Sequence, residues 1–317
     1  MRRVAVLGAG GFLGRHLVTL LSARGTQVAG IALERPVAGV CEDWLTYDLQ
    51  QGSESLVDFL AQFRPDAVVL LAATSFEPLA ASQPWRVIEN NVLSALNTLT
   101  ACRRLASQPA IVITSSSAVY GRQGPDACPV AETHSLRPLT TYGVSKLAVE
   151  ALALQQYRAF GLRSIIVRPF NVTGPGEHAS FVTSAFARQI ALIEAGRQAP
   201  VIRVGDLQTV RDFTDVRDVA GALASLGELG QPGEAYNLCS GIAVKIEDLL
   251  RRLLRATPVV IDIQVDPALK RNVEIDVQWG DSAKLRRTTD WKPRYGLDQT
   301  LADVLDDWRI RIQRQEA

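Results

Sequence analysis

Gly8-Ala9-Gly10-Gly11-Phe12-Leu13-Gly14 decides the fold, because it follows directly on the apolar run Val4-Ala5-Val6-Leu7 and leads into an amphipathic stretch over residues 11–22. A strand that ends in glycines and turns straight into a helix leaves unpaired amides and the positive end of a dipole at the turn. Glycines at 8, 11 and 14 let a pyrophosphate approach the backbone, with Gly14 serving the packing of helix on strand. The segment therefore predicts a nucleotide cradle made by Gly8, Gly11, Phe12 and Leu13.

Working outward, short β-branched runs at 4–7, 27–33, 67–71, 110–114 and 164–167 alternate with helical patterns at 11–22, 53–63, 85–105 and 141–160. Each helical stretch is long enough for a crossover, so the strands are expected to be parallel and buried. The fold class is α/β, a doubly wound parallel sheet of the Rossmann kind, over residues 1–168. Beyond Pro169 the pattern loosens: helices are expected near 181–195, 216–226, 246–255 and 297–314, with strands at 201–204 and 235–238 and an extended segment at 259–265. Residues 169–317 are accordingly expected to form a smaller α/β substrate-binding cap, some of whose segments return to the main sheet.

Composition narrows the function classes. With 34 Lys+Arg against 33 Asp+Glu, the chain carries a formal charge of +1, which gives nucleic acid no basic surface to bind. Cys41, Cys102, Cys128 and Cys239 lack metal spacing and are expected to be reduced thiols in a cytoplasmic protein; no metal site is expected. Glycines interrupt the first apolar run after four residues, and no stretch approaches the roughly 18 apolar residues of a membrane span.

The second strand selects the dinucleotide. An acid at its end would hold the adenosine ribose and repel a 2′-phosphate, but Ala32 falls there, with Arg35 close by and Arg15 on the first helix. Guanidinium groups favour a phosphorylated ribose, so NADP(H) is preferred; Glu34 leaves NAD(H) open.

In Thr140-Thr141-Tyr142-Gly143-Val144-Ser145-Lys146, Tyr142 and Lys146 stand four apart at the start of a helix and share one face. A free phenol titrates near 10, and a fixed ammonium beside it brings that down toward the range useful for proton transfer. Upstream, Ser115-Ser116-Ser117-Ala118-Val119-Tyr120-Gly121 follows the strand at 110–114, which puts hydroxyls at the carboxyl edge of the sheet, where open α/β folds bind ligands.

Glycine motif, serine run and Tyr-Lys pair together resemble the extended short-chain dehydrogenase/reductase family of sugar-nucleotide enzymes. The resemblance covers essentially the whole chain. It implies a catalytic trio of Ser116, Tyr142 and Lys146, with Ser116 taken as the hydroxyl four residues before Tyr120. It also implies that Asp48 and Leu49 receive the adenine, that Leu71, Ala72, Ala73 and Pro169 line the dinucleotide, and that Asn91 supports the site through its backbone.

For the substrate, the resemblance implies a nucleotide-diphosphate sugar held by Ser117, Asn171, Arg188, Arg211 and Arg271, the two last clamping the diphosphate with forked guanidinium groups. Family 4,6-dehydratases carry an Asp-Glu pair where Ser117-Ala118 stand, which argues against dehydration; the Cys of the family's Cys/His epimerase-reductases is Ser117 here, although His178 lies near the relevant loop. The stretches 186–207 and 280–293 are similar to the family's GDP-4-keto-6-deoxy-sugar reductases, whereas Asp206 stands where guanosine-type relatives carry Asn. Two alternatives stay open: a nucleotide-sugar 4-epimerase with tightly held NAD, and a dinucleotide-binding redox sensor without catalysis. Helices at 85–105 and 141–160 would supply a homodimer seam of the kind common in the family.

Overall fold

A computed structural model describes residues 1–35, 41, 43–75, 82–123, 127–269 and 275–314. Its main sheet is parallel throughout and contains β1 (Arg3–Leu7), β2 (Gln27–Ala32), β3 (Asp43–Thr46), β4 (Ala67–Leu70), β5 (Ala110–Thr114), β6 (Ser164–Pro169) and β11 (Ala235–Leu238), in the spatial order β11-β6-β5-β4-β1-β2-β3. Successive side chains of a strand face opposite ways, so both faces of this sheet must be covered. Val4 and Val6 enter one core with Leu17, Val18 and Leu21 of α1 (Phe12–Ala23) and Val219, Leu223 and Leu226 of α6 (Val216–Leu229). Ala5 and Leu7 enter the other, with Leu56 and Leu60 of α2 (Glu54–Phe63), Leu99 of α3 (Pro84–Arg103) and Val149 and Ala153 of α4 (Thr141–Phe160). Leu56, Leu60 and Leu99 have no exposed surface; truncating one such leucine to alanine costs about 2–5 kcal/mol.

A third core joins α5 (Val182–Glu194), α7 (Ile246–Arg255) and α9 (Leu297–Gln313) through Phe186, Ile190, Leu249, Leu253, Leu301 and Trp308. Around it lie short strand pairs. β7 (Asn171–Thr173) runs beside β10 (Phe213–Asp215), β8 (Val201–Val204) beside β13 (Asp262–Val265), and β9 (Val210–Arg211) between β12 (Val244–Lys245) and β14 (Val277–Gln278). A short α8 (Ala283–Thr289) precedes the last helix.

Several boundaries differ from the sequence reading. The second strand stops at Ala32, and Leu33 beyond it is 68% exposed. The fourth stops at Leu70, because the amides of Leu71 and Ala72 both turn back onto the carbonyl of Leu7. The segment expected to be extended over 259–265 is a strand only from Asp262, and β3 escaped notice because Asp43–Thr46 is an edge strand with little buried surface. Pro84 opens α3 one residue early, at a position where its missing N–H costs nothing.

After β7 the chain makes a tight turn that joins α1 to α9. The ring of His16 on α1 donates through Nε2 to the carbonyl of Pro175 (2.8 Å), the amide of Gly176 donates to Asp307 (2.8 Å), and Arg311 donates to the carbonyl of Glu177 (3.3 Å). The carboxylate of Glu177 is buried and accepts from the hydroxyls of Thr173 (3.0 Å) and Thr183 (2.6 Å). Burial pushes this carboxyl up to about 7, although Thr183, Thr173 and the amide of Ser184 pull the other way. An acid whose pKa is raised on folding stabilises the native state below its unfolded value and loses that contribution as pH rises through the folded one. Glu177→Gln, which mimics the protonated group, is therefore expected to match the parent in urea unfolding at pH 4 and to exceed it by up to about 3 kcal/mol at pH 8. Parallel stability curves across this range would contradict the assignment.

Candidate active site

The order of the sheet reverses at β1, which has β4 on one side and β2 on the other, so a crevice opens at the carboxyl ends of β1 and β4. Gly8 and Ala72 face each other across it: a Cβ on Gly8, whose φ is +91°, would stand 2.7 Å from the amide nitrogen of Ala72. Gly14 is equally constrained, since its Cβ would meet the carbonyl of Gly8 at 2.1 Å, so here glycine serves the contact of helix on turn. α1 begins at Phe12 with Gly11 as its cap, with no capping side chain and no acid in its first turn. Its first amides thus point at the crevice ready for an anion, which is the fit a dinucleotide pyrophosphate requires.

The remaining residues expected at the cofactor are distributed over several segments. Phe12 stacks edge-on against His16, and Leu13 packs on the core beneath. Leu71 and Ala72 rest on opposite faces of the sheet, with Ala73 next in the loop. Asp48 caps a short turn by accepting from the amide of Gln50 (2.9 Å), while Leu49 is buried and its carbonyl takes a hydrogen bond from Asn97 (2.7 Å). Arg35 is exposed three residues beyond the end of β2. Pro169 ends β6, beside β5 on the same edge.

β5 also ends on this edge; Ser116 lies on the turn that follows it, and Tyr142 and Lys146 lie on α4. Ser116 is partly exposed and caps the turn Ser117–Val119, its hydroxyl accepting from the amide of Ala118 (3.2 Å). α4 is started by Thr140, whose hydroxyl accepts from the amide of Gly143 (3.1 Å), a cap that contributes about 1 kcal/mol. Gly143 lets α4 lie against the serine turn, because a Cβ there would come within 2.7 Å of the carbonyl of Ala118. In this way the helix bearing Tyr142 is held against the turn bearing Ser116. Lys146, one helical turn on, is 4% exposed; its Nζ donates to the carbonyl of Thr114 (2.8 Å) and lies 5.9 Å from the centre of the Tyr142 ring. Burial pulls the Lys146 ammonium down to about 8, against the attraction of Glu150. It remains mostly charged at neutral pH.

Asn91 is tied to the site by its side chain. It accepts from the amide of Thr74 (2.7 Å) and donates to the hydroxyl of Ser145 (2.9 Å), which donates in turn to the carbonyl of Tyr142 (2.7 Å). This chain joins the loop after β4 to the first turn of α4.

On the substrate side, Asn171 lies on β7 and its amide group donates to the carbonyl of Asp212 (3.0 Å). Arg211 lies on β9, with a guanidinium nitrogen donating to the carbonyl of Val210 (2.9 Å). Ser117 is nearly buried, and its carbonyl accepts from Gln278 on β14 (3.2 Å), in register with Arg211. Arg188 lies on α5, its guanidinium carbon 5.9 Å from the centre of the Trp308 ring. Arg271 lies outside the described residues. His178, exposed, bonds to Ser180 (2.8 Å). Among the described residues no group of His, Cys, Asp and Glu could hold a metal ion, the four cysteines are free, and no helix is long and apolar enough to cross a membrane.

The sequence reading passed over Gln278, Glu150 and Arg168, which hold the serine turn and the end of β5 in place. Only the placement of Glu150 four residues after Lys146 on one helical face could have pointed to any of them.

A doubly wound sheet, a glycine cradle at its switch point and a Ser-Tyr-Lys set on the same edge define an extended short-chain dehydrogenase/reductase. Residues 5–304 match the family described as GDP-mannose 4,6 dehydratase, and the chain belongs to it, a family of NAD(P)-dependent enzymes of oxidoreductase type. The chain is 37% identical over 314 residues to GDP-6-deoxy-D-mannose reductase of Pseudomonas aeruginosa, covering 99% of each protein. The solved structure of RMD from Pseudomonas aeruginosa complexed with NADPH superposes with a TM-score of 0.86 at 37% identity, covering 98% of this chain and 100% of that one. UDP-glucose 4-epimerase of Thermus thermophilus in complex with NAD also gives 0.86, at 27% identity and 97% and 99% coverage.

Removing the phenolic hydroxyl while keeping the ring isolates the role of Tyr142. Tyr142→Phe is expected to lose turnover by roughly 10²–10⁴-fold and to bind the dinucleotide within a few-fold of the parent, read by fluorescence titration. Undiminished turnover would refute proton donation by this group.

Proposed function

We propose that the protein reduces the C4 ketone of GDP-4-keto-6-deoxy-D-mannose, giving GDP-D-rhamnose, with NADPH as the preferred reductant. One observation carries the reading: the anion-ready start of α1 and the Ser116–Tyr142–Lys146 set share one sheet edge, in a chain that matches a GDP-6-deoxy-D-mannose reductase from end to end.

When bound, the nicotinamide supplies a hydride to the ketone carbon. Tyr142 gives its proton to the ketone oxygen, and Ser116 donates a hydrogen bond to that oxygen as negative charge builds on it. Lys146 stabilises the phenolate left behind and would hold the nicotinamide ribose, and solvent returns the proton to Tyr142. Gly8, Gly11, Phe12 and Leu13 hold the pyrophosphate, and Asp48 with Leu49 the adenine. Leu71, Ala72, Ala73 and Pro169 line the rest of the dinucleotide. Ala32, apolar where an acid would repel a 2′-phosphate, and Arg35 beyond it support the choice of NADPH, with NADH as the weaker substitute. Arg211 and Arg271 clamp the diphosphate, while Ser117, Asn171 and Arg188 orient the sugar nucleotide. In this arrangement residues 1–168 bind the cofactor and most of 169–317 bind the substrate.

Ser117 and Ala118 give water elimination no carboxyl pair, so the proposed reaction is reduction although the family takes its description from a dehydratase. Exposed Trp85 on α3 and Val144 on α4 support a homodimer through these helices, in the cytoplasm, to be read as twice the chain mass by light scattering.

GDP-, dTDP-, UDP- and CDP-linked 4-keto-6-deoxy sugars, each offered with NADPH and with NADH, test the reading. The GDP sugar with NADPH is expected to be consumed fastest, with stoichiometric cofactor oxidation and a rhamno-configured product by NMR. Dinucleotide that copurifies and is never consumed would establish a 4-epimerase instead; binding without any turnover would establish a sensor.

A further inference from the structure

Burying a lysine ammonium and fixing it against one carbonyl requires both a counter-charge and a rigid strand end. The structure supplies both through a carboxylate outside the trio. Glu150 follows Lys146 by four residues on α4, so the two share a helical face. It is 2% exposed. One carboxylate oxygen accepts from Ser115 Oγ (2.5 Å) and Arg168 Nε (2.9 Å), the other from a terminal nitrogen of Arg168 (2.7 Å). Ser115 lies between Thr114, whose carbonyl receives Lys146, and Ser116. The grip on Ser115 therefore sets the position of two members of the trio at once.

Arg168, on β6, is fixed at its far end. It donates to the Tyr120 hydroxyl (2.9 Å) and to the Glu132 carbonyl (3.2 Å); that hydroxyl donates to Asn237 on β11 (2.6 Å), and Asn237 donates to the carbonyl of Val130 (2.8 Å). Tyr142 and Glu150, from its own helix, are thus the groups that face Lys146, while Arg168 from β6 and, through it, Tyr120 from the turn after β5 and Glu132 from the segment before α4 are linked to Glu150.

Resting on the reading of Tyr142 and Lys146 given above, we propose that Glu150 is a positioning residue: held by Arg168, it fixes Ser115 and so the Thr114 carbonyl and Ser116, and it keeps Lys146 in its charged form.

Carbon-13 NMR of labelled lysine follows that titration without reference to turnover, with the Lys146 signal assigned from Lys146→Met. Compared with the parent, Glu150→Gln is expected to lower the Lys146 midpoint by about one pH unit or more, to move the alkaline fall of kcat by the same amount, and to cut kcat at least tenfold at pH 7.5 with KM for NADPH little changed. Glu150→Asp, which keeps the charge, should restore most of the midpoint. Should Glu150→Gln fail to fold, Ser115→Ala, which frees the strand end and leaves both buried charges in place, is expected to lower kcat with KM for NADPH little changed. An unmoved midpoint with kcat lowered evenly at every pH would overturn the proposal. If the parent reduced no keto sugar at all, the functional reading would fail while the NMR titration still decided the role of Glu150.

Discussion

A lysine ammonium pressed against the carbonyl of Thr114 is the contact around which this molecule is organised. Burial penalises the charge, and Lys146 is drawn down toward neutrality by it. The cost is tolerable only where a strand end offers a bare carbonyl, a helix starts alongside it, and polar groups nearby are already paired. A parallel sheet supplies the first of these, since its strands all end on one edge and the carbonyls beyond the last ladder bond have no strand partner. Gly143 and Thr140 supply the second, one by allowing close contact with the serine turn and the other by capping the helix.

The same topology brings the cofactor cradle to the chemistry. Because every strand of the main sheet points one way, the glycine turn after β1, the loop after β4 and the serine turn after β5 open on the same side. Asn91 couples two of them by bonding Thr74 after β4 and, through Ser145, the backbone of Tyr142. The turn around Glu177 couples the cofactor helix to α9 in the third core. The start of α1, the first turn of α4 and the strand bearing Arg211 are thus each tied to neighbouring segments by hydrogen bonds, with Gln278 bridging β14 to the serine turn.

Legibility in the sequence followed the range of the interactions. The central strands and their helices could be read because 4–7, 67–70 and 110–114 are continuous apolar runs, the mark of strands covered on both faces. Tyr142 and Lys146 were readable because their relation is local, four residues on one helix. The pairs of β7 with β10 and of β9 with β12 and β14 were not, for strands of two or three residues carry no period and are set by partners far along the chain. Arg168 illustrates the same limit: in Arg168-Pro169-Phe170 it looks like any strand-end arginine, and its meaning comes from Glu150, Tyr120 and Glu132, drawn from three other segments.

Hydride delivery to a sugar ketone is measured most directly by isotope transfer. With NADPH deuterated at C4 of its nicotinamide on the transferred face and GDP-4-keto-6-deoxy-D-mannose as acceptor, the product should carry deuterium at C4 of the sugar, one for each cofactor oxidised. Product formed without deuterium at that carbon, or without net oxidation of the cofactor, would contradict it.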